Sequence, residues 1–234
     1  MLRSLITRVQ LAILPELWTV GFFNFDQYQA VAETIPGPQS EALAAVAREK
    51  RMWLHAGSFI ERTSEGTLHN SSLLFDPQGR LVSTYRKLHL FGHESDERSL
   101  LHPGEAPAIV ATPFGIAGLS TCYDLRFPEL YRILSRGGAE VFLVSSAWPC
   151  TRPEHWLVLN RARAIENLAF VVACNAAGET RGRRLLGSSL VVDPWGVVVA
   201  RAGEGEEVLH ARIDFGLARR VRQQFPALRD RRLG

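Results

Sequence analysis

The chain has 234 residues and a mass of 26.1 kDa, which suits one globular domain, residues 1–234, with a full core. Hydrophobic residues make up 46% and charged residues 22% of it, which excludes extensive disorder. The net charge of +3 is small, no apolar run reaches the roughly 18 residues of a membrane helix, and three cysteines cannot form a disulfide framework. We therefore expect a soluble, reduced, cytoplasmic protein with no membrane partner.

Short runs of β-branched and apolar residues alternate with amphipathic stretches, a pattern typical of strands alternating with helices. The motifs Asp76-Pro77-Gln78-Gly79 and Asp193-Pro194-Trp195-Gly196 predict tight turns and two antiparallel hairpins. No GxGxxG or GxxxxGK[ST] motif is present, so a mixed sheet covered by helices is predicted rather than a parallel Rossmann sheet. The predicted strands are VQLAIL, WLHAGSF, SSLLFD, LVSTY, IAGLST, VFLVSS, AFVVACN, SSLVVD, GVVVA and VLHARI, and the predicted helices are PQSEALAAVAREKR, FPELYRILSRGG, PEHWLVLNRARAIENL and DFGLARRVRQQF.

The basic residues are unevenly divided between the two types. Of the 27, 25 are Arg, and only Lys50 and Lys87 are Lys. A Lys amine is a compact charge that can titrate when buried, whereas Arg stays protonated, so an isolated Lys suggests a specific role. Lys50 ends an amphipathic stretch, which leaves Lys87 as the candidate. The Arg-rich end of the chain, LARRVRQQFPALRDRRLG, is interpreted as a solvated helix face and tail, and no nucleic-acid partner is expected.

The junction at Cys122 is the most suggestive place for chemistry. The strand IAGLST ends there and a helix follows within a few residues, so a nucleophile would lie exposed at the sheet edge, with backbone N–H groups able to bind an oxyanion. We expect the nearby helix start to lower the thiol pKa. A lone cysteine is more often a buried structural residue, and Cys150 and Cys174 fit that interpretation. Cys122 is therefore a candidate nucleophile only if groups that can activate a thiol lie beside it.

A thiol nucleophile is activated by a histidine or by a carboxylate held beside an ammonium group. The segment that contains His89, His93 and His102 has no HExxH motif, and the chain has no CxxC motif. No metal site is therefore expected. His89, between two leucines, is interpreted as a packed strand residue. Glu16 follows the first predicted strand and Lys87 ends the strand in TYRK, so a mixed sheet can bring both side chains to one edge.

At this point the ordered motifs resemble those of the nitrilase superfamily of carbon–nitrogen hydrolases, and in particular its omega-amidase and deaminated-glutathione-amidase branch. The resemblance runs from residue 9 to the end of the chain, and the ordered set is far more specific than any one motif. It implies an α-β-β-α sandwich of mixed sheets and a homodimer. The motifs are Leu14-Pro15-Glu16, Tyr85-Arg86-Lys87-Leu88-His89-Leu90, Cys122-Tyr123-Asp124-Leu125-Arg126-Phe127-Pro128-Glu129-Leu130, Ser145-Ser146-Ala147-Trp148-Pro149, His155-Trp156, Ala162-Arg163-Ala164-Ile165-Glu166-Asn167 and Asp193-Pro194-Trp195-Gly196.

The resemblance also implies roles for individual residues. It makes Cys122 the nucleophile, Glu16 the general base and acid, and Lys87 the stabiliser of the tetrahedral intermediate. A second glutamate is expected before the following Pro-Gly, where the spacing favours Glu97 over Glu94.

Three further residues are expected to bind substrate: Tyr123 through its backbone N–H, Arg126 and Trp148. Arg126 could hold a distal carboxylate of the substrate, but we expect it rather to brace the Cys122 loop. No metal or organic cofactor is implied.

The implied reaction is hydrolysis of a small linear amide, the omega-amide of a dicarboxylic or 2-oxo acid, to acid plus ammonia. The alternatives are an N-carbamoyl-amino-acid amidohydrolase and an inactive, truncated scaffold. Family members begin with a strand and a helix before the Pro-Glu segment, whereas only MLRSLIT precedes VQLAIL here. That strand and most of that helix are therefore expected to be missing, which would leave an unpaired sheet edge.

Overall fold

A computed structural model describes residues 9–232 of the chain. The segment MLRSLIT, on which the expectation of a truncated start rests, lies outside the described residues. The strands are β1 (Leu11–Ile13), β2 (Trp53–Arg62), β3 (Leu68–Phe75), β4 (Leu81–Arg86), β5 (Ala108–Thr112), β6 (Gly115–Thr121), β7 (Val141–Ser146), β8 (Phe170–Asn175), β9 (Ala177–Thr180), β10 (Arg183–Leu186), β11 (Leu190–Val192) and β12 (Val198–Arg201). The α-helices are α1 (Tyr28–Val31), α2 (Pro38–Lys50), α3 (Glu97–Leu100), α4 (Pro128–Arg136), α5 (Pro153–Asn167) and α6 (Gly216–Gln224).

The strands form two mixed sheets and a separate hairpin. The first sheet has the order β1-β2-β3-β4, in which β1 and β2 are parallel and the other pairs antiparallel. The second has the order β12-β11-β8-β7-β6-β5, with parallel β6, β7 and β8 at its centre. β9 and β10 pair with each other, and Leu185 of β10 also forms an isolated antiparallel bridge with Pro149. Both turn motifs join antiparallel neighbours, β3 to β4 and β11 to β12, which confirms the predicted hairpins.

Apolar side chains fill three layers between and outside the sheets. Leu74 and Tyr85 of the first sheet pack with Leu119, Leu143 and Phe170 of the second. Helix α2 packs on the outer face of the first sheet, and α4 and α5 pack on the outer face of the second. Each sheet thus buries both faces, one against a helix and one against the other sheet. The result is the predicted α-β-β-α sandwich.

Two sequence predictions of local structure are wrong. The segment VLHARI, residues 208–213, is not a strand: Val208 is exposed, and Ile213 packs beside Phe215 without joining either sheet. Its apolar alternation therefore reflects a single anchored side chain. Conversely, β9 and β10 are paired although apolar periodicity does not predict them, because Arg183 and Arg184 of β10 face solvent.

One arginine of the basic C-terminal stretch, Arg222, makes structural hydrogen bonds rather than facing solvent. The Arg222 guanidinium donates hydrogen bonds to the carbonyl oxygens of Ala139, Asn167 and Leu168, which follow or end α4 and α5. Carbonyls at helix ends lack partners within their own helix, so this guanidinium satisfies the end of α5 and also reaches the loop after α4. This interaction fixes α6 against the outer helical layer.

A buried histidine lies in the inter-sheet core. His55 of β2 is flanked by Ile13 of β1 and Leu74 of β3, and neither of its ring nitrogens has a hydrogen-bond partner among residues 9–232. Burial lowers the pKa of His55 from 6.5 to about 4, because the imidazolium would lose its hydration without gaining a partner. His55 is therefore neutral in the folded protein.

This histidine makes folding sensitive to acid. Between pH 6.5 and 4 the unfolded chain binds a proton at His55 that the folded chain does not, so the stability falls as the pH falls through that window. We expect a loss of about 3 kcal/mol of unfolding free energy from this group. Denaturant unfolding at several pH values, compared with His55→Leu, isolates the effect because all other titrations are shared. An identical pH slope in the two proteins would contradict the assignment.

Candidate active site

Three chain segments that end strands meet at one place. Glu16 follows β1, Lys87 follows β4 and Cys122 follows β6, so the two sheets each contribute to the same edge of the sandwich. Glu97 joins them from the first residue of α3. All four side chains are buried. The structure thus brings together the four residues that the sequence singled out.

Lys87 lies at the centre of this cluster. Its Nζ donates to Glu16 Oε1 at 2.9 Å and to both carboxylate oxygens of Glu97 at 2.9 Å, and it lies 5.3 Å from the centre of the Phe22 ring. Burial favours the neutral amine, but the negative charges of Glu16 and Glu97 outweigh it and hold the pKa of Lys87 well above its usual value. The ammonium is therefore fixed and permanently charged.

Asn70, which the sequence reasoning missed, orients both carboxylates. Its Nδ2 donates to Glu16 Oε1 at 2.9 Å and to Glu97 Oε1 at 3.0 Å from the middle of β3. The backbone N–H of Ala147 donates to Glu16 Oε2 at 3.0 Å, so each oxygen of Glu16 has a donor. The signal for Asn70 was a polar run, residues 69–72, inside a strand that is otherwise apolar.

Of the two candidate second glutamates, Glu97 contacts the cluster and Glu94 does not. Glu97 also accepts the backbone N–H of Phe91 at 2.6 Å, which fixes the preceding loop. Burial, together with the charge of Glu16, raises the pKa of Glu97. Glu94 is exposed, and its backbone carbonyl accepts a hydrogen bond from Arg183.

Cys122 begins a 3-10 helix, Cys122–Arg126, that turns sharply away from β6. Its φ is +47°, a conformation that costs a non-glycine residue about 1–3 kcal/mol and is kept only where the surroundings enforce it. The expectation of a lowered thiol pKa is wrong for this state: burial, reinforced by the charge of Glu16, raises the pKa of Cys122 well above its usual value, although Lys87 acts in the opposite direction. Desolvation of the buried sulfur outweighs the dipole of one short helical turn.

The buried carboxylate of Asp124 enforces that turn. Its Oδ2 accepts the backbone N–H of Thr121 at 2.8 Å and the hydroxyl of Tyr85 at 2.6 Å. Its Oδ1 accepts the backbone N–H of His89 at 3.0 Å and contacts His89 Nδ1 at 2.7 Å. Asp124 therefore ties the Cys122 turn to the segment that carries Lys87.

His89 is not the packed strand residue expected from its neighbours. It lies in a bend after β4, where its ring stacks on Phe127 at a centroid distance of 3.8 Å. The flanking leucines suggested a strand, but the bond to Asp124 requires the chain to turn.

The expectation that Arg126 braces the Cys122 loop is also wrong. Arg163 of α5 performs that task, because its Nε and one terminal nitrogen donate to the Leu125 carbonyl at 3.0 and 2.8 Å. Arg126 instead lies over the Trp148 ring, 4.6 Å from its centre, and hydrogen-bonds His155 Nδ1 at 3.2 Å.

Cys122 lines a small pocket with a cavity volume of about 20 Å³. Its wall also contains Tyr123, Arg126 and Trp148, the three residues expected to bind substrate. The remaining side chains that bear on binding are Phe22, Phe23, Phe91 and Arg152. The pocket is thus aromatic and cationic, and it lies beside a thiol, two carboxylates and an ammonium.

Two wider features of residues 9–232 bear on function. No group of three or more His, Cys, Asp or Glu side chains in this part of the chain is arranged to hold a metal ion. None of its helices has the length and apolar character needed to cross a membrane.

Comparison with known proteins gives consistent matches. The model of the carbon-nitrogen hydrolase family matches residues 3–223. A 2-oxoglutaramate amidase of Paenarthrobacter nicotinovorans is 42% identical over 232 residues, with coverage of 96% of this chain and 79% of that protein. The deaminated glutathione amidase of Homo sapiens is 39% identical, with coverage of 95% and 72%.

A solved structure agrees with the fold. The crystal structure of Saccharomyces cerevisiae Nit3, a member of branch 10 of the nitrilase superfamily, has a TM-score of 0.88 and 33% identity, and the match covers 96% of this chain and 84% of that one. Together these matches confirm the resemblance on which the expected fold and reaction class rest.

Proposed function

The chain belongs to the carbon-nitrogen hydrolase family, and we propose that it hydrolyses the terminal amide of a small dicarboxylic or 2-oxo acid to acid plus ammonia through a thioester on Cys122. The observation that carries this proposal is the buried Lys87 held between Glu16 and Glu97 beside the thiol. These groups supply a nucleophile, a proton carrier and a fixed positive charge.

The raised thiol pKa determines how the first step proceeds. A free thiolate is disfavoured in this buried site, so the sulfur loses its proton to Glu16 as it attacks the amide carbon. The C–S bond forms while the electron pair of the C=O bond moves to oxygen. Glu16 is suited to this role because its carboxylate is held in place by Lys87, Asn70 and Ala147.

The developing oxyanion needs positive charge that is already in place. Lys87 supplies a fixed ammonium and the backbone N–H of Tyr123 a second donor at the start of the 3-10 helix. Glu16 then gives its proton to the departing nitrogen, the C–N bond breaks and ammonia leaves. In the second half-reaction Glu16 takes a proton from water and the hydroxide attacks the thioester carbon. The C–S bond then breaks, the acid leaves, and Glu16 returns the proton to the sulfur of Cys122.

The pocket wall supports an acidic substrate. Arg126 lines the pocket without an acidic partner among the described residues, and guanidinium groups hold carboxylates well. A relative is named for its action on 2-oxoglutaramate, which carries a carboxylate at the end opposite its amide. We therefore assign to this chain the terminal amides of small 2-oxo or dicarboxylic acids.

We further propose one hydrolase domain over residues 1–234, located in the cytoplasm, where reducing conditions suit three free cysteines. Fractionation of the source cells would test the location.

The homodimer is also a proposal, and an exposed apolar patch supports it. The rings of Trp195 and Phe225 lie 5.8 Å apart, Ile165 borders Gly196, and the side chains of Trp195, Phe225 and Ile165 are each half exposed.

The first test is ammonia release from 2-oxoglutaramate, succinamate and an N-carbamoyl amino acid. We expect the first two to be hydrolysed, and we expect Cys122→Ala to lower the rate by at least about a thousandfold because no nucleophile remains. Circular dichroism would show that the variant is folded. Preference for the N-carbamoyl compound would move the chain to that reaction, and unchanged release by the variant would exclude the thioester route.

Lysine at position 87 should not be replaceable by arginine. A guanidinium keeps the charge but cannot place one nitrogen within 2.9 Å of oxygens from both carboxylates, so Lys87→Arg should lose at least about a hundredfold in kcat. Lys50→Arg, the same exchange at the other lysine, should retain full activity. Activity of Lys87→Arg within tenfold of the wild type would count against the role of Lys87.

The dimer predicts a defined mass in solution. Sedimentation equilibrium should give twice the chain mass of 26.1 kDa. Trp195→Asp should shift the protein towards the monomer because it places a charge in the apolar patch. Val208→Asp, at an exposed apolar residue outside the patch, should not. A monomeric wild type would exclude the dimer.

A further inference from the structure

The pocket contains a second cation that the proposed mechanism does not use. Arg152 lines the pocket with Arg126, and no carboxylate in the described part of the chain forms an ion pair with either. Some exposed arginines elsewhere in the chain do have acidic partners, such as Arg181 with Asp26 and Arg184 with Glu204. Two guanidinium groups in one pocket without an acid nearby indicate a site for an anion.

Arg126 is held in a fixed orientation. Its guanidinium stacks on Trp148 and lies 5.8 Å from the Tyr123 ring. Because a guanidinium can only donate, the nitrogen of His155 that contacts it must accept, which places the imidazole proton on Nε2. These contacts leave the other donors of Arg126 free for a ligand.

The backbone of Arg152 is also held in place. It precedes the first residue of α5, and its carbonyl accepts hydrogen bonds from the Trp148 indole N–H at 2.9 Å and from the Trp156 backbone N–H at 3.3 Å. Trp148 therefore connects the two arginines, because it stacks on one and hydrogen-bonds the backbone of the other. The side chain of Arg152 itself is half-buried, lines the pocket and has no hydrogen-bond partner among residues 9–232.

The two charges also act on each other. Burial lowers the pKa of Arg126, and the positive charge of Arg152 acts in the same direction. Two like charges in one pocket raise the energy of the empty pocket, and an anion that binds there relieves that repulsion. Glu16 and Glu97 are not among the residues that line the pocket, and their negative charges repel an anionic group from the amide-cleaving end.

We propose that Arg152 and Arg126 form a two-guanidinium seat for the acid end of the substrate, and that Arg152 determines selectivity for a 2-oxo acid end over an uncharged one. A 2-oxo carboxylate presents three oxygens in one plane: two suit the fork of one guanidinium and the 2-oxo oxygen suits a donor of the other. This inference rests on the proposed function and adds Arg152 to Arg126 in the recognition of the acid end.

The proposal predicts a change in selectivity. Arg152→Gln should lower kcat/KM for 2-oxoglutaramate by about 10- to 100-fold, mainly through KM, because the seat contacts a group that does not react. The kcat/KM for butyramide, a neutral amide, should stay within about twofold. Arg152→Lys should fall between, since it keeps the charge and loses the fork. Arg184→Gln, whose side chain pairs with Glu204 outside the pocket, is the matched control and should change neither value.

A binding measurement separates this proposal from the proposed reaction. Titration calorimetry with 2-oxoglutarate, the acid product, should show binding to the wild type and at least about tenfold weaker binding to Arg152→Gln. A wild type that hydrolyses no amide but binds 2-oxoglutarate in an Arg152-dependent way would refute the reaction and keep the seat. Equal losses for 2-oxoglutaramate and butyramide, or unchanged binding by Arg152→Gln, would overturn the seat.

Discussion

The structure of the site depends on one buried positive charge. An ammonium inside a protein is tolerated only when it is paired and hydrogen-bonded, and Lys87 meets this condition through two carboxylates that are themselves held by other donors. The two carboxylates and the amide that orients them come from different segments: Glu16 after β1, Glu97 in α3 and Asn70 in β3. The requirement to satisfy one charge therefore fixes the relative positions of three segments and defines the edge at which Cys122 emerges.

The same cluster explains why the thiol is not a preformed thiolate. Two carboxylates and one ammonium leave no excess positive charge near the sulfur, and burial adds to the cost of a second anion. The thiol therefore becomes a nucleophile only when Glu16 accepts its proton and the new negative charge moves onto the substrate oxygen. The site thus favours the neutral thiol over the thiolate until an amide occupies it.

The sequence predicts the parts of this site that depend on strand ends and fails where packing decides. Glu16, Lys87 and Cys122 were found because each follows a recognisable strand, and strand ends converge at a sheet edge. Asn70 was missed because its role depends on which face of β3 points inward. The thiol pKa was mispredicted because a local helix start is visible in a sequence and burial is not. The brace was assigned to Arg126 because it is near in the chain, whereas Arg163 reaches Leu125 only because α5 packs there.

The unequal use of arginine and lysine has a geometric explanation. Arg163 and Arg222 each reach backbone carbonyls with more than one nitrogen, and Arg86 contacts both oxygens of Glu61. A planar group with several spread donors suits these tasks. Lys87 has the opposite task, because a single nitrogen must lie within 2.9 Å of oxygens from two carboxylates that converge on one point. A guanidinium distributes its charge over three nitrogens in a plane and would separate the carboxylates. In a chain that otherwise uses arginine almost throughout, a lysine therefore marks the place where positive charge has to be concentrated on one atom.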